Sequence, residues 1–250
     1  MLEAIILGII QGITEFLPVS STAHLILVPK FLGWQGTVDS LTFDIALHAG
    51  TLLAVLVFFS KDWLRIILHD RRLLVFIIIA TIPAGLAGLL FEEMVEDYLR
   101  SPYIIAMTLS LIGIFMLISD RLSGKKGLDA LKLKDCIFIG IFQALALIPG
   151  VSRSGITMGA GFLMGLSRED SARFSFLLST PVIAGASLLG FKRLIHEPVI
   201  DYSVFISGMI ASFIAGVIAI GFLIKYLQRH RIDLFVYYRF GLSLLILLFL

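Results

Sequence analysis

"IPGVSRSGITMG", residues 148–159, sets an arginine between two serines behind a Pro-Gly break, in a chain whose neighbouring segments are almost unbroken Ile, Leu, Phe, Ala and Gly. Proline lacks an amide donor and disfavours helix in the residue before it, so a helix arriving at Ile148 has to stop there. Non-helical backbone at membrane depth survives only where protein or a water-filled cavity surrounds it. Residues 136–166 are therefore expected to form a re-entrant helix-loop-helix hairpin with a buried, polar tip.

The surroundings make membrane depth the relevant setting. Of 250 residues, 58% are hydrophobic and only 15% charged, and the mean hydropathy is +1.01, far above the mix found in water-soluble domains. Six windows hold the roughly 17 to 25 mainly apolar residues that a crossing helix needs: 43–60, 73–91, 103–119, 174–191, 203–224 and 236–250. A net charge of +2 argues against a nucleic-acid partner. The single cysteine, Cys136, excludes an intrachain disulfide and a cysteine-built metal cluster. MLEAIILGIIQG lacks a basic leader and a cleavage site, and reads as mature structure. No linker or charge run separates a soluble unit, so residues 1–250 are expected to form one integral membrane domain.

A second stretch, "QGITEFLPVSSTAHL" (11–25), repeats the pattern of apolar run, proline, small polar residues and short apolar run, and makes residues 1–33 a second re-entrant hairpin. Cytoplasmic loops collect Lys and Arg. One set of loops holds Lys61, Arg65, Arg71, Arg72, Arg121, Lys125, Lys126, Lys132, Lys134, Arg168, Arg173, Lys225, Arg229 and Arg231; the other holds only Arg100, Lys192 and Arg193, beside Glu92, Glu93, Glu96 and Asp97. The first set is expected to be cytoplasmic, with the two hairpins entering from opposite faces. One hairpin plus three spans inverts the second half, giving an all-α fold of two inverted-topology repeats, about 1–119 and 136–250. "GIIQGITEFLPVSST" and "GIFQALALIPGVSRS" align without gaps, pairing Gly8 with Gly140, Gln11 with Gln143, Val19 with Val151 and Ser20 with Ser152. Such repeats put a polar site where the two tips meet, near the midplane.

Charged groups inside the hydrocarbon region are functional candidates by default. Here they are Glu15, His24 and Arg153, with Asp44 and His48 close behind. The second tip suits phosphate: Gly150 and Gly155 permit close backbone approach, Ser152, Ser154 and Thr157 offer hydroxyls, and the helix restarting near residue 153 presents free amides. Arg153 adds a planar fork for two phosphate oxygens, although a structural ion pair with Glu15 is the plainer alternative. On the first tip Ser20, Ser21 and Thr22 add hydroxyls. Gln11 and Glu15 share a helical face and can hold a divalent cation through oxygen. Ser21 and His24, three apart, allow the imidazole to act as general base on a serine nucleophile. Asp44 and His48, in "FDIALHAGT", support the site or serve as a helix cap and an interfacial histidine.

These stretches resemble a known family. "QGITEFLPVSSTAH" (11–24) is similar to a motif of Glu or Gln, three residues, Glu, then Phe-Leu-Pro-x-Ser-Ser-Thr-x-His; "PGVSRSGIT" (149–157) is similar to Pro-Gly-x-Ser-Arg-Ser-x-x-Thr. Both mark the undecaprenyl-diphosphate phosphatases of the bacitracin-resistance type, and the likeness runs along the whole chain, "FSFLLSTP" (174–181) included. The resemblance implies a multi-pass enzyme of the bacterial inner membrane, surrounded by membrane lipids. Such an enzyme hydrolyses a polyprenyl diphosphate lipid to the monophosphate and inorganic phosphate, recycling the carrier of cell-wall precursors and conferring bacitracin resistance. It further implies Gln11 and Glu15 as the acidic-motif pair and Ser21 as nucleophile. His24 becomes the base, Ser152, Arg153 and Thr157 phosphate ligands, and Mg or Ca the cofactor. Gln11, where many members carry Glu, brings no charge to a metal. A homodimer is left open, and so is a second class of function: opposed hairpins in inverted halves also suit a transporter or flippase of polyprenyl phosphate lipids.

Overall fold

The computed structural model describes residues 1–195 and 201–250, with the side chains of Glu92, Glu93, Glu96, Asp97 and residues 190–195 excepted. The charges counted above at Glu92, Glu93, Glu96, Asp97, Lys192 and Arg193 thus lie outside the described side chains. The described chain is all-helical: α1 Leu2–Phe16, α2 Ser21–Leu32, α3 Leu41–Phe58, α4 Ser60–His69, α5 Arg71–Tyr98, α6 Pro102–Arg121, α7 Leu133–Ala144, α8 Arg153–Leu163, α9 Arg168–Ile195, α10 Tyr202–Leu227 and α11 Asp233–Phe249. Five of these, α3, α5, α6, α9 and α10, are long and apolar enough to cross a membrane. The sixth expected stretch, 236–250, lies in α11, which has 17 residues. Large apolar side chains point outward, with Leu90 73% and Ile218 66% exposed, a pattern that suits lipid and not water. The protein is a multi-pass membrane protein.

Both proline breaks fall where the backbone rules put them. Leu17, before Pro18, has φ −67° and ψ 141°; Ile148, before Pro149, has φ −74° and ψ 122°. Neither is helical, so α1 ends at Phe16, and α7 ends at Ala144 with one tighter turn, Leu145–Leu147, after it. Each chain then restarts a short helix from a serine in the left-handed region: Ser20 at φ 75° precedes α2 and Ser152 at φ 70° precedes α8. A non-glycine residue held there is strained by about 1–3 kcal/mol and needs its surroundings to hold it in place.

The broken segments are seated by small residues. α1 packs on α10 and α7 on α5. A Cβ added at Gly8 would collide with the Gly208 carbonyl oxygen, and one at Gly140 would come within 2.6 Å of the Ala80 carbonyl oxygen. An exposed helical Gly→Ala change gains about 1 kcal/mol from propensity, whereas forcing atoms into closed packing costs about 1–3 kcal/mol. Gly8→Ala is therefore expected to lower the heating midpoint in detergent. Gly241→Ala on α11, where an added Cβ has nothing within 4 Å, should leave it unchanged or raise it. Equal midpoints for the two variants would show that α1 does not need this approach.

On another side of the bundle a buried carboxylate ties three segments. Asp120 at the end of α6 is 0% exposed and accepts from Arg168 Nε at 2.6 Å and Arg231 Nε at 2.9 Å. The loop after α6 also pairs with the turn after α8, Gly124 N donating to Leu166 O and Lys126 N to Gly165 O. These links brace α8 from behind and leave its N-terminal end facing α1.

Candidate active site

The two serine-started helices bring their N-terminal ends to a common cavity of about 310 Å³. Its polar wall is Glu15, Ser20, Ser21, Thr22, His48, Gln143, Ser152 and Arg153; its apolar wall comes from Ala84, Leu147, Ile148, Val182, Ile183 and Ala186 among others. At the centre lies the Glu15 carboxylate, 7% exposed. Its Oε1 accepts from Arg153 Nη2 at 2.7 Å, while its Oε2 accepts from Ser21 Oγ at 2.6 Å and from Gln11 Nε2 at 3.1 Å. His48 Nε2 stands 3.7 Å from the same Oε2, beside the carboxylate but too far for a direct hydrogen bond.

Several contacts aim the arginine. It opens α8, so its side chain leaves from the first turn toward α1 and α9, and its Nη1 donates to the Ser175 carbonyl at 3.2 Å. The Ser175 hydroxyl is 2.7 Å from Thr157 Oγ1, which also donates to the Arg153 carbonyl at 2.7 Å. The tips touch directly too: Ser154 Oγ donates to the Leu17 carbonyl at 3.2 Å. Ser152 caps α8, accepting from Gly155 N at 3.2 Å. The result is a buried cation, carboxylate and hydroxyl in contact, beside an apolar wall.

The chain matches the family model described as "Bacitracin resistance protein BacA" over residues 4–245. The chain belongs to the BacA family. Among curated proteins it is 54% identical to the undecaprenyl-diphosphatase of Thermodesulfovibrio yellowstonii, over 99% of this chain and 96% of that one. It is 48% identical to the enzyme of that name from Moorella thermoacetica, over 98% and 96%, and 45% identical to that from Pelotomaculum thermopropionicum, again over 98% and 96%.

In this BacA family member the residues singled out by sequence divide into two groups. Glu15, Ser20, Ser21, Thr22, Ser152 and Arg153 line the cavity. Gly150, Ser154 and Thr157 stand behind it: Gly150 takes a φ of 90° against Thr108, and the hydroxyls of Ser154 and Thr157 are bound to backbone and to other hydroxyls. His24 corrects one expectation, because its ring does not meet Ser21. Nδ1 lies 2.7 Å from the Ser20 carbonyl oxygen and Nε2 2.7 Å from Tyr238 Oη. A carbonyl only accepts, so Nδ1 carries the proton and in the neutral ring Nε2 accepts from the tyrosine. The reason is local: Ser20 is four residues back on the same turn, and its carbonyl takes the imidazole before the Ser21 hydroxyl can. Of Asp44 and His48, the second lines the cavity and borders the Glu15 carboxylate. Its Nδ1 donates to the Asp44 carbonyl at 2.7 Å, which leaves Nε2 turned to Glu15.

The donor set for a cation is small. Among the described residues no group of three or more His, Cys, Asp or Glu side chains converges. Gln11, 0% exposed, nevertheless keeps an unpartnered Oε1 next to Glu15, and Gln143 on the cavity wall has an unpartnered Oε1 as well. One carboxylate and a spare amide oxygen are hard oxygen donors of the kind magnesium or calcium takes.

Two residues escaped the sequence reading. Arg239 on α11 is 0% exposed and binds only main-chain carbonyls, including Pro18 O at 3.4 Å in the first tip and Gly150 O at 2.8 Å in the second. Tyr238 beside it holds His24. A charge inside the expected span 236–250 was the signal that marked Arg239.

Proposed function

We propose that this protein hydrolyses undecaprenyl diphosphate to undecaprenyl phosphate and inorganic phosphate, recycling a lipid carrier of cell-wall synthesis and giving resistance to bacitracin. One observation carries the reading: a serine hydroxyl and an arginine share a single buried carboxylate in a cavity whose other wall is apolar. The curated relatives bearing that enzyme name support it. The diphosphate occupies the polar wall, and the first isoprene units lie against Val182, Ile183 and Ala186, with the remaining tail among lipids.

In the resting site Arg153 and Glu15 neutralise each other. A diphosphate competes for the guanidinium fork, and as Arg153 turns to phosphate oxygens the Glu15 carboxylate is released to act as base. Ser21 Oγ attacks the terminal phosphorus, its proton passes to Glu15 Oε2, and the bond to the bridging oxygen breaks to leave undecaprenyl phosphate. Water then attacks the phosphoserine, its protons staying on the phosphate; Glu15 returns the proton to Ser21 Oγ as that bond breaks, and dihydrogen phosphate departs. Arg153 and the amides opening α8 stabilise the charge on the transferred group, where positioning and electrostatics supply most of the rate. Magnesium or calcium would be held by Glu15 and Gln11 and would supply further charge neutralisation to the diphosphate. His48, whose Nε2 stands beside Glu15, relays protons between Glu15 and solvent.

We further read the fold as six spans, α11 included, and two re-entrant hairpins, α1–α2 and α7–α8, in inverted repeats within one domain of the bacterial inner membrane. The starts of corresponding helices support this: Ser21 and Arg153, Arg71 and Tyr202, Pro102 and Asp233 are each 131 or 132 residues apart. The packing is reciprocal, α1 on α10 with α7 on α5, and α3 on α10 with α9 on α5. That symmetry also suits a flippase, so the deciding assay has two arms. Purified protein given undecaprenyl diphosphate is expected to release one phosphate per lipid and to slow when Mg²⁺ is chelated. Translocation of the lipid across vesicles without phosphate release would replace the enzyme reading with the transporter.

A further inference from the structure

We infer that Arg239 is the positioning residue of the phosphate site: its guanidinium locks the two loop tips together through their backbone and turns an amide of the second tip toward the cavity. This rests on the hydrolase reading above for its kinetic consequence, though not for its geometry.

Arg239 is wholly buried, and among the described residues its five acceptors are main-chain carbonyls. Nε donates to Leu109 O at 3.1 Å; Nη1 to Pro18 O at 3.4 Å; Nη2 to Gly150 O at 2.8 Å, Val151 O at 3.3 Å and Thr108 O at 3.4 Å. Three separate pieces of chain are thereby joined: the first tip, the second tip and α6. Burying a cation is costly, and a guanidinium is the side chain whose rigid fork of five donors can span so many acceptors. A residue serving packing alone would be apolar here, as its neighbours Phe235, Val236 and Ile246 are.

The consequence for the site follows from peptide geometry. In a trans peptide the carbonyl of one residue and the amide of the next point in opposite directions, and among the described residues no peptide bond is cis. With the Val151 carbonyl drawn to Arg239, the Ser152 amide points away from it, and Ser152 lines the cavity. The same pull holds Gly150 at φ 90° and bears on the strained φ of Ser152 next to it. Thr108 Oγ1, donating to the Pro149 carbonyl at 2.7 Å, secures the same turn from α6. The preceding residue does the matching work on the first tip, since Tyr238 Oη holds His24 and with it the first turn of α2. Adjacent residues of α11 thus address both tips.

The test uses full-length protein in detergent with Arg239→Lys and Arg239→Met, each compared with wild type. Phosphate release from undecaprenyl diphosphate gives kcat and KM, calorimetry gives the Kd of inorganic diphosphate, and heating gives the midpoint. A lysine keeps the charge but not the fork. Since misplacement of a reacting group by about 1 Å costs on the order of 100-fold, both variants are expected to lose about 100-fold in kcat per folded molecule. KM and the diphosphate Kd should rise together, each by no more than about tenfold. Wild-type kinetics in Arg239→Lys would overturn the inference and leave the hydrolase reading standing. If wild type itself releases no phosphate, the hydrolase reading falls and the diphosphate Kd judges Arg239 alone, an unchanged value overturning its role. Should Arg239→Met not fold, Arg239→Lys carries the result; failure of both to fold would overturn positioning in favour of a purely structural role.

Discussion

Arg153→Met is expected to reduce kcat/KM for phosphate release by about 10³-fold and to lower the stability of the protein at the same time. Two different effects are superimposed. The rate falls because a guanidinium on the cavity wall is lost from a transition state whose charge sits on phosphate oxygens. Stability falls because Glu15, 7% exposed, is left as an uncompensated carboxylate; removing one member of a buried pair costs about 3–5 kcal/mol. A double variant separates them. Arg153→Met with Glu15→Gln removes the buried charge altogether, so the heating midpoint should recover toward wild type while phosphate release stays absent. If the midpoint recovers and activity recovers with it, the pair is a structural ion pair and the phosphate is held elsewhere.

The meeting of Glu15 and Arg153 was legible in the sequence because it rests on a constraint that applies everywhere in the bilayer: a charge at that depth needs a partner, and the two broken segments each supplied one. The breaks themselves were legible because Pro18 and Pro149 act on the residue immediately before them. What was not legible depended on competition between acceptors at short range. Ser21 and His24 have suitable spacing, yet the Ser20 carbonyl, the first acceptor of α2, takes both the amide and the imidazole of His24; hydropathy and motif spacing carry no information on that competition. The group that accepts from the Ser21 hydroxyl is instead the Glu15 carboxylate, with His48 behind it. Arg239 was missed for another reason. It sits within an apolar window that was read as a span, and its partners are carbonyls from Pro18, Thr108, Leu109, Gly150 and Val151, which leave no side-chain signature. The charge alone was there to be noticed, two residues into that window's polar entry at Tyr237 and Tyr238.

Ser21→Ala is expected to lower kcat by about 10⁴-fold, the loss typical of removing a nucleophile whose base remains in place. The fold should be untouched, because Ser21 is only partly buried and its hydroxyl makes one side-chain bond, to Glu15 Oε2 at 2.6 Å. That bond is short because the acceptor is charged, and it points the serine proton at the group that must receive it. Rapid quenching of the wild type during turnover should trap phosphate on Ser21, at a level set by how fast water reaches the phosphoserine, and none should be trapped in Ser21→Ala. If water attacked the lipid diphosphate directly, Ser21 would act only as a hydrogen-bonding ligand; the loss would then be nearer 10²-fold and no covalent phosphate would be found in either protein. Glu15→Gln distinguishes the two further. With serine as nucleophile, the amide cannot take its proton and trapping disappears together with turnover. With water as nucleophile, the proton can leave by way of His48, and part of the activity should survive.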